Sequence, residues 1–397
     1  MRVVDLFSGA GGLSLGFQLA GFNLVLAVDN WDAALKQYRK YFKHDALKHD
    51  LHDVAGVVNV IKPYKPDIII GGPPCQDFSE AGSRKEGARA QLTSDFASIV
   101  SQCQTDYFVM ENVARARHSK AYKRARKIFV EAGYALTEIV LDACYCGVPQ
   151  RRKRFFCIGA KREKDGFLSR LLCARQSDVA MTLRDYFGDG LSFEYYYRHP
   201  RTYARRGVYS IDEPAATIRG ANRPMPKNYQ RHPMDAAAPH RHGIRALTVA
   251  ERAKIQMFPD DYPWSKVTAQ DNQMIGNAVP IGLAEFVAKT FLDYFSRQKG
   301  FEVPLTFMEW TQQQNDLVKE ASRDVLSRYR RARKILGAKY ESDVKMQEEL
   351  VLCAEYKKLS KSIQRQLLHS CDLHIKYMKY RESLCSNLMK QKAAKRC

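Results

Sequence analysis

Over its first 160 residues the chain alternates short apolar runs with stretches in which apolar residues recur every three or four positions. Arg2 to Leu6, Leu24 to Val28, Pro66 to Gly71, Tyr107 to Glu111, Ala135 to Leu141 and Arg154 to Gly159 have the length and the β-branched or aromatic content of strands. Gly12 to Ala20, Trp31 to Tyr41, Thr93 to Cys103 and Ala121 to Ala132 carry the helical period between them. Such βαβ alternation predicts an α/β fold with a largely parallel, doubly wound sheet, whose ligands bind at the carboxyl ends of the strands. From about Lys161 to Ile244 the periodicity fades into a stretch rich in Arg, Tyr and Pro, which predicts a second, smaller unit of irregular β-structure and loops. Helical signals return at Thr248, placed to cap a segment ending near Met257, and again from Pro280 to Phe295. Beyond Pro304, Val318, Ala321, Val325, Tyr329, Ala332 and Leu336 share a helical face, as do Tyr356, Leu359, Ile363, Leu367 and Cys371. That end is expected to form two or three amphipathic helices.

At 397 residues the chain is long enough for two or three folded units. No charged segment followed by an apolar one opens the sequence, and no apolar stretch reads as long enough to span a bilayer, so the expectation is a soluble, cytoplasmic protein without a membrane role. Ten cysteines show no paired spacing, and Cys144 with Cys146 lacks the second pair of a zinc site, so the thiols are expected to be reduced and no metal is expected. A formal charge of +21 points to a polyanionic partner, nucleic acid first, without separating DNA from RNA or an anionic membrane surface. Residues 298 to 397 hold 21 Lys and Arg against 12 Asp and Glu, a net of +9, so the excess is shared by both ends of the chain.

Four stretches carry candidate chemistry. Pro73-Pro74-Cys75-Gln76 follows the buried run Ile68-Ile69-Ile70-Gly71-Gly72 and places a thiol on a stiff loop at the sheet's carboxyl edge, where a nucleophile belongs. A lone cysteine more often fills core space, and only the flanking sequence favours the other reading. Asp5 to Gly16 is a glycine-rich turn between the first strand and the first helix, with Asp29 closing the next strand in register to bind ribose hydroxyls of a nucleotide-like cofactor. Glu111 ends a further strand on the same edge, where it can hydrogen-bond a ring nitrogen; taken alone it is a surface carboxylate in an ion pair. In Gln150-Arg151-Arg152-Lys153-Arg154 alternate side chains share a face, so Arg152 and Arg154 point together; an ordinary basic strand end has the same pattern.

With these motifs in this order, the chain resembles the cytosine-C5 methyltransferases of bacterial and phage restriction-modification systems. The resemblance rests on Asp5 to Phe17, on Pro73-Pro74-Cys75-Gln76 with Phe78-Ser79, and on Glu111-Asn112-Val113 and Gln150 to Arg154. Arg245-Ala246-Leu247-Thr248 with Glu251, Gln256 and Phe258-Pro259, then Gly276-Asn277-Ala278-Val279-Pro280, complete it over three quarters of the chain. It implies a Rossmann-like S-adenosylmethionine-dependent methyltransferase fold with a smaller irregular target-recognition domain and a helical C-terminal extension. The expected division is 1–160 catalytic and cofactor-binding, 161–270 target-recognition, 271–297 returning to the catalytic domain, and 298–397 a basic extension outside the resemblance.

For chemistry the resemblance implies that Cys75 adds to C6 of a flipped-out cytosine in duplex DNA, that Glu111 contacts N3 and the exocyclic amine, and that Arg154 holds O2 with Arg152 nearby. For S-adenosylmethionine it implies Phe7 against the adenine, Gly9 and Gly11 near the methionine part, Asp29 on the ribose and Asp50 near the adenine amine, with Ser8, Gly12, Pro73 and Asn277 lining the same pocket. Gln76, Ser79, Arg219 and Gly220 are the expected DNA contacts, the last two in Pro214 to Gly220, which resembles the family's anchor near the end of the variable region. A cognate restriction endonuclease in the same system, a monomer on DNA and association with the nucleoid accompany that reading. The alternatives are a tRNA cytosine-C5 methyltransferase and a catalytically idle DNA-binding protein. Asp142, Lys254, Met257 and Met274 depart from the family's usual asparagine, arginine, glycine and glutamine. For the tail, a helical pack against the main domain competes with extra phosphate contact through Arg328, Arg330, Arg331, Arg333 and Lys334.

Overall fold

A computed structural model describes residues 1–74, 88–202, 205–239, 243–297, 305–315, 319–337 and 342–394. The chain divides into two compact units, Met1–Arg170 with Met181–Leu292, and Leu171–Ala180 with Asp293–Cys397. The first is built on β1 (Arg2–Leu6), β2 (Asn23–Asp29), β3 (Asp45–Lys48), β4 (Ile68–Gly71), β5 (Tyr107–Val113), β6 (Tyr134–Asp142) and β8 (Lys153–Lys161), with the two-residue β7 (Gln150–Arg151) between the last two. The seven form one sheet in the order β3-β2-β1-β4-β5-β8-β6. β1 to β5 are parallel, and β8 alone runs against its neighbours β5 and β6. The segment from Ala143 to Arg152 is too short for a crossover helix, so β6 and β8 pair as antiparallel neighbours.

Both faces of the parallel part are covered, which is why β4 reads as an unbroken apolar run with every residue buried. On one face α3 (Val54–Ile61), α4 (Ala88–Cys103) and α5 (Lys120–Glu131) contribute Val57, Phe96 and Phe129 to a core with Ile69, Phe108 and Phe155. On the other, α1 (Gly12–Leu19) and α2 (Asp32–Tyr41) pack Leu15, Leu35 and Tyr38 with Ile255, Ile275 and Ile281 from much later in the chain. β3 and α3 escape sequence reading: β3 has four residues with one buried, and the β-branched run of α3 does not distinguish helix from strand. The helices Thr268–Asn277 and Ile281–Arg297 also correct an expectation. Their combined stretch has the length and apolar content of a membrane span, and 72% of that window is buried as core.

The region after β8 is irregular, as its composition predicts. Tyr195–Tyr197 pairs antiparallel with Val208–Ser210, and Ala215–Ala216 pairs parallel with β7. Buried Asp235 collects the N–H groups of Gly207, Val208 and His232. Thr248 caps the helix Val249–Ile255 through a reciprocal box with Glu251. Met257 then turns at φ 65°, a left-handed conformation that explains why glycine is usual in the family at this position, and its sulfur lies over Gly282, where a Cβ would collide.

The expected cuts at residues 160 and 270 do not separate compact units, because residues 181–292 fold with the sheet. Residues 171–180 instead join the C-terminal helices Phe307–Asn315, Lys319–Leu336, Met346–Leu352, Ala354–Lys357 and Lys361–Ala394. That second unit has its own core, including Phe307, Trp310, Tyr329, Met346, Leu367 and Tyr377. Buried His374 stacks on Tyr329 at 3.7 Å and places Nε2 3.3 Å from Asp178, which anchors the 171–180 segment.

α1 crosses the helix Ile281–Arg297 at Gly16, where an added Cβ would overlap Ala284 and lie 2.6 Å from the amide nitrogen of Glu285 and 2.7 Å from the carbonyl of Ile281. Gly16→Ala is expected to destabilise the protein by about 1–3 kcal/mol through overpacking, read as a lower denaturant midpoint at unchanged slope.

Candidate active site

The carboxyl edge of the sheet opens into a cavity of about 1080 Å3, mouth included, lined by residues from six separate stretches of chain. β1 ends in a tight turn: Phe7 (φ 58°), Gly9 (φ 53°) and Gly11 (φ 81°) all have positive φ, so the backbone doubles back before α1. Phe7 is the unusual member, since a bulky side chain rarely adopts this conformation and strain of this kind concentrates at ligand sites. Gly12 approaches the returning segment so closely that a Cβ would strike the carbonyl of Val279. Nothing lies within 4 Å of a Cβ built on Gly9, which leaves room beside the backbone for a ligand.

Asp29, at the end of β2, accepts hydrogen bonds from Gly9 N at 2.7 Å and Trp31 N at 2.8 Å. One carboxylate therefore braces the glycine turn and the start of α2 together. Burial raises its pKa, and the donors from Trp31, Gly9 and Asn30 oppose that rise. Ser8 Oγ is buried in the same wall with no hydrogen-bond partner. An unsatisfied hydroxyl, a braced carboxylate and an aromatic ring at Phe7 fit the polar and apolar parts of S-adenosylmethionine. Phe7, Ser8, Gly9, Gly12, Asp29, Pro73 and Asn277 all line the cavity. Asp50 lies in an adjoining hollow that shares Phe7, Asp29, Trp31, Pro74 and Asn277 with it. Gly11 acts from behind, where a Cβ would press on Phe42 and Tyr38. Trp31, which lines both hollows, is an aromatic residue missed in the sequence; its place two residues after Asp29 was the available signal.

Across the cavity, β5 presents Glu111 and the neighbouring β8 presents Arg154. Arg154 Nε lies 2.8 Å from Glu111 Oε1, an ion pair whose N–H is not aimed along a hydrogen bond, and Oε1 keeps no aligned donor. Burial raises the Glu111 pKa, while Arg154 and then Arg152 pull it down. Asn112, in the same cavity wall, donates to the carbonyl of Pro73 at 3.3 Å and accepts from Val113 N, and so holds the start of the Pro73-Pro74 loop. Cys75, Gln76 and Ser79 lie outside the described residues.

Arg152 departs from its expected part in the reaction. Its side chain is buried and donates to the carbonyls of Ile218 at 2.7 Å and of Gly276 and Ala278 at 3.0 Å each. These bonds commit the guanidinium to backbone, which makes Arg152 a positioning residue and leaves Arg154 as the arginine beside Glu111. Gln150 and Gln256 extend the same knot: Gln150 donates to Gln256 at 2.7 Å and accepts from Ile218 N at 2.9 Å, while Gln256 donates to the carbonyls of Ile275 and Ala278. Asp142, the departure from the usual asparagine, accepts from Arg152 N at 2.9 Å and lies 3.6 Å from Arg151. Gly220 packs where a Cβ on Gly276 would collide, and Arg219 donates to the carbonyl of His199.

An α/β sheet with a strained glycine turn and a braced carboxylate at its carboxyl edge has the architecture of a nucleotide-cofactor-binding protein. The chain belongs to the C-5 cytosine-specific DNA methylases, whose family pattern it matches over residues 1–293. It is 48% identical to the type II methyltransferase M.HgiDI of Herpetosiphon aurantiacus over 77% of this chain and 98% of that protein. It is also 48% identical to M.HindV of Haemophilus influenzae, over 74% and 97%. The fold is shared with S. pombe Dnmt2 methyltransferase (TM-score 0.56, 19% identity, 74% of this chain and 99% of that one). It is likewise shared with the Entamoeba histolytica methyltransferase EhMeth (TM-score 0.52, 17% identity, 75% and 98%).

Two outcomes test this geometry. Arg152→Lys replaces a three-way fork by a single ammonium and leaves buried carbonyls unsatisfied, so a loss of about 2–4 kcal/mol in unfolding free energy is expected. Asp5, just before the glycine turn, is fully buried, bonded to Ser14 Oγ at 2.6 Å, and pushed up to about pKa 7 by that burial. Below pH 4 the native and unfolded states both hold its proton; between pH 4 and 7 only the native state does, so stability falls as pH rises through this window. Asp5→Asn should therefore gain on the wild type across that range, by up to roughly 4 kcal/mol, in denaturation curves recorded at both ends.

Proposed function

We propose that this protein transfers a methyl group to C5 of cytosine within a specific short sequence of double-stranded DNA. The observation that carries the reading is the Glu111–Arg154 pair facing the strained Phe7–Gly12 turn across one cavity, with Pro73-Pro74 at its rim. When bound, S-adenosylmethionine supplies an electrophilic methyl group. Phe7, Ser8, Asp29, Trp31 and Asn277 would hold it, with Asp50 at the adjoining hollow.

The residues of the chain act on the base. C5 of cytosine is a weak nucleophile, and a thiolate adding to C6 converts the ring into an enamine able to attack carbon through C5. Cys75 supplies that thiolate. Glu111 donates to N3 as negative charge builds on the ring, a role served by a buried carboxyl whose pKa burial raises. Arg154 holds O2 and, beside Glu111, fixes the base in the plane of both groups. After the methyl group is on C5, loss of the C5 proton and expulsion of the Cys75 thiolate restore the aromatic ring. The base leaves the duplex for these steps, because C6 is inaccessible in the stack. Within this reading the protein works as a monomer on DNA, resides with the nucleoid and has a cognate restriction endonuclease in the same system.

The test is transfer of labelled methyl groups to duplex DNA compared with tRNA. Duplex labelling is expected, with Glu111→Gln losing on the order of 100-fold or more in rate. A duplex carrying 5-fluorocytosine should trap the wild type covalently, since fluorine cannot leave C5 as a proton does, and should not trap Cys75→Ala. Labelling of tRNA alone would sink the DNA reading, and failure to trap would sink the covalent step.

A further inference from the structure

Asp50, Leu51, His52 and Leu92 line the hollow that adjoins the main cavity. The first three belong to the turn between β3 and α3, which closes through Asp53 N on the carbonyl of Asp50 and Val54 N on that of His52, both at 3.0 Å. His49 N donates to the carbonyl of Asp29 at 3.1 Å, so the turn leaves from the strand end whose carboxylate braces the glycine turn. Leu51 is buried in the core of that face. Asp50 is exposed, and its carboxylate is held from within the turn: Oδ1 accepts from His52 N at 3.1 Å. Whatever fixes His52 therefore fixes Asp50.

The imidazole of His52 is tied to α4. Nδ1 lies 2.7 Å from Oδ2 of Asp95, 43 residues away in sequence, and because an ionised carboxylate only accepts, Nδ1 carries the hydrogen and donates it. Asp95 is 8% exposed, and its other oxygen accepts from Gln91 Nε2 at 3.1 Å. No Lys or Arg pairs with it among the described residues. A buried carboxylate is costly unless hydrogen-bonded, so Asp95 holds its imidazole donor firmly. An ordinary surface ion pair joins two exposed ends and contributes little. His49 and Asp53, 3.8 Å apart, are a pair internal to the turn. His52–Asp95 instead joins two elements that line the same hollow, since Leu92 stands one helical turn before Asp95 on α4.

We propose that His52 is a positioning residue for S-adenosylmethionine: its imidazole, held by Asp95, clamps the Asp50–His52 turn onto α4 and fixes the Asp50 carboxylate and Leu92 as walls of one cofactor subsite. The proposal rests on the cofactor reading above and adds two residues, His52 and Asp95, on which cofactor affinity depends. An exposed carboxylate on an unrestrained turn loses conformational freedom when it takes a ligand, and a turn held in place beforehand has less to lose. Asp95 acts through His52.

The experiment is calorimetric titration of the full chain with S-adenosylhomocysteine, the product that methyl transfer leaves, for wild type, His52→Ala, His52→Asn, Asp95→Ala and the double alanine variant. His52→Ala and Asp95→Ala are each expected to bind on the order of 10-fold more weakly, the worth of one hydrogen bond to a charged group. The double variant should lose no more than either single one, because both break the same bond. His52→Asn, whose amide donates from near the place of Nδ1, should recover most of the affinity. In steady-state methylation of duplex DNA, KM for S-adenosylmethionine should rise in the alanine variants while kcat and the KM for DNA stay at the wild-type values. Thermal melts check folding, and His52, with 42% of its side chain exposed, carries the test if Asp95→Ala does not fold. Unchanged affinity in His52→Ala, additive losses in the double variant, or equal losses for the alanine and asparagine variants would overturn the clamp while leaving the cofactor reading in place. A wild type that binds no S-adenosylhomocysteine overturns both.

Discussion

Everything at the base pocket depends on one buried guanidinium. Arg152 sits in the one-residue break between β7 and β8, and its bonds reach the carbonyls of Ile218, Gly276 and Ala278, which lie 66, 124 and 126 residues away in sequence. A charge in a protein interior is costly unless its hydrogen bonds are made, and backbone carbonyls are the one partner every segment can supply. The chain meets that demand by bringing two distant stretches against the sheet edge. Gly276, Ala278 and Val279 thereby become a wall of the cavity, and Gly12 closes on Val279 from the other side. Neutral Gln150 and Gln256 occupy the remaining backbone groups without adding charge, so the knot is polar, dry and geometrically determined.

Around that knot, burial pushes the pKa values of two carboxyls lining the cavity, Asp29 and Glu111, upward. What differs is the opposing force. Asp29 is opposed by backbone N–H groups, which are fixed in place and keep it an acceptor suited to hydroxyl donors. Glu111 is opposed by two arginines, one of which is committed to carbonyls and the other of which is within reach of a ligand.

Sequence patterns carried the main sheet and its edge because a strand buried on both faces, a glycine turn and a Pro-Pro step each leave a local mark. They carried the order of strands less well: nothing local to Lys153–Lys161 says that it inserts between β5 and β6, a choice made by the short connection and the pairing partners available. The spacing of Arg152 and Arg154 correctly placed both on one face, yet could not say that the first would meet carbonyls, because those carbonyls come from beyond residue 217. Domain boundaries were least legible. The break in periodicity near residue 161 marks a change of local structure, and long-range hydrogen bonds keep that region on the sheet all the same. The 171–180 segment, too short to show a period, follows the partners of Asp178 instead.

The net charge of +21 was equally mute about place. Arginines with a carboxylate partner contribute to the formal count but little to the field felt by a ligand, because each is met by an opposite charge at contact distance. In the second unit, Arg328 faces Asp324 and Lys376 faces Asp372 one helical turn away, exposed pairs that are worth little in stability. In the irregular region carboxylates accompany Arg184, Arg206 and Arg245, whereas Arg198, Arg219, Arg223 and Arg252 form no ion pair with a carboxylate among the described residues. Positive charge without a carboxylate partner thus gathers next to Ile218, whose carbonyl Arg152 holds.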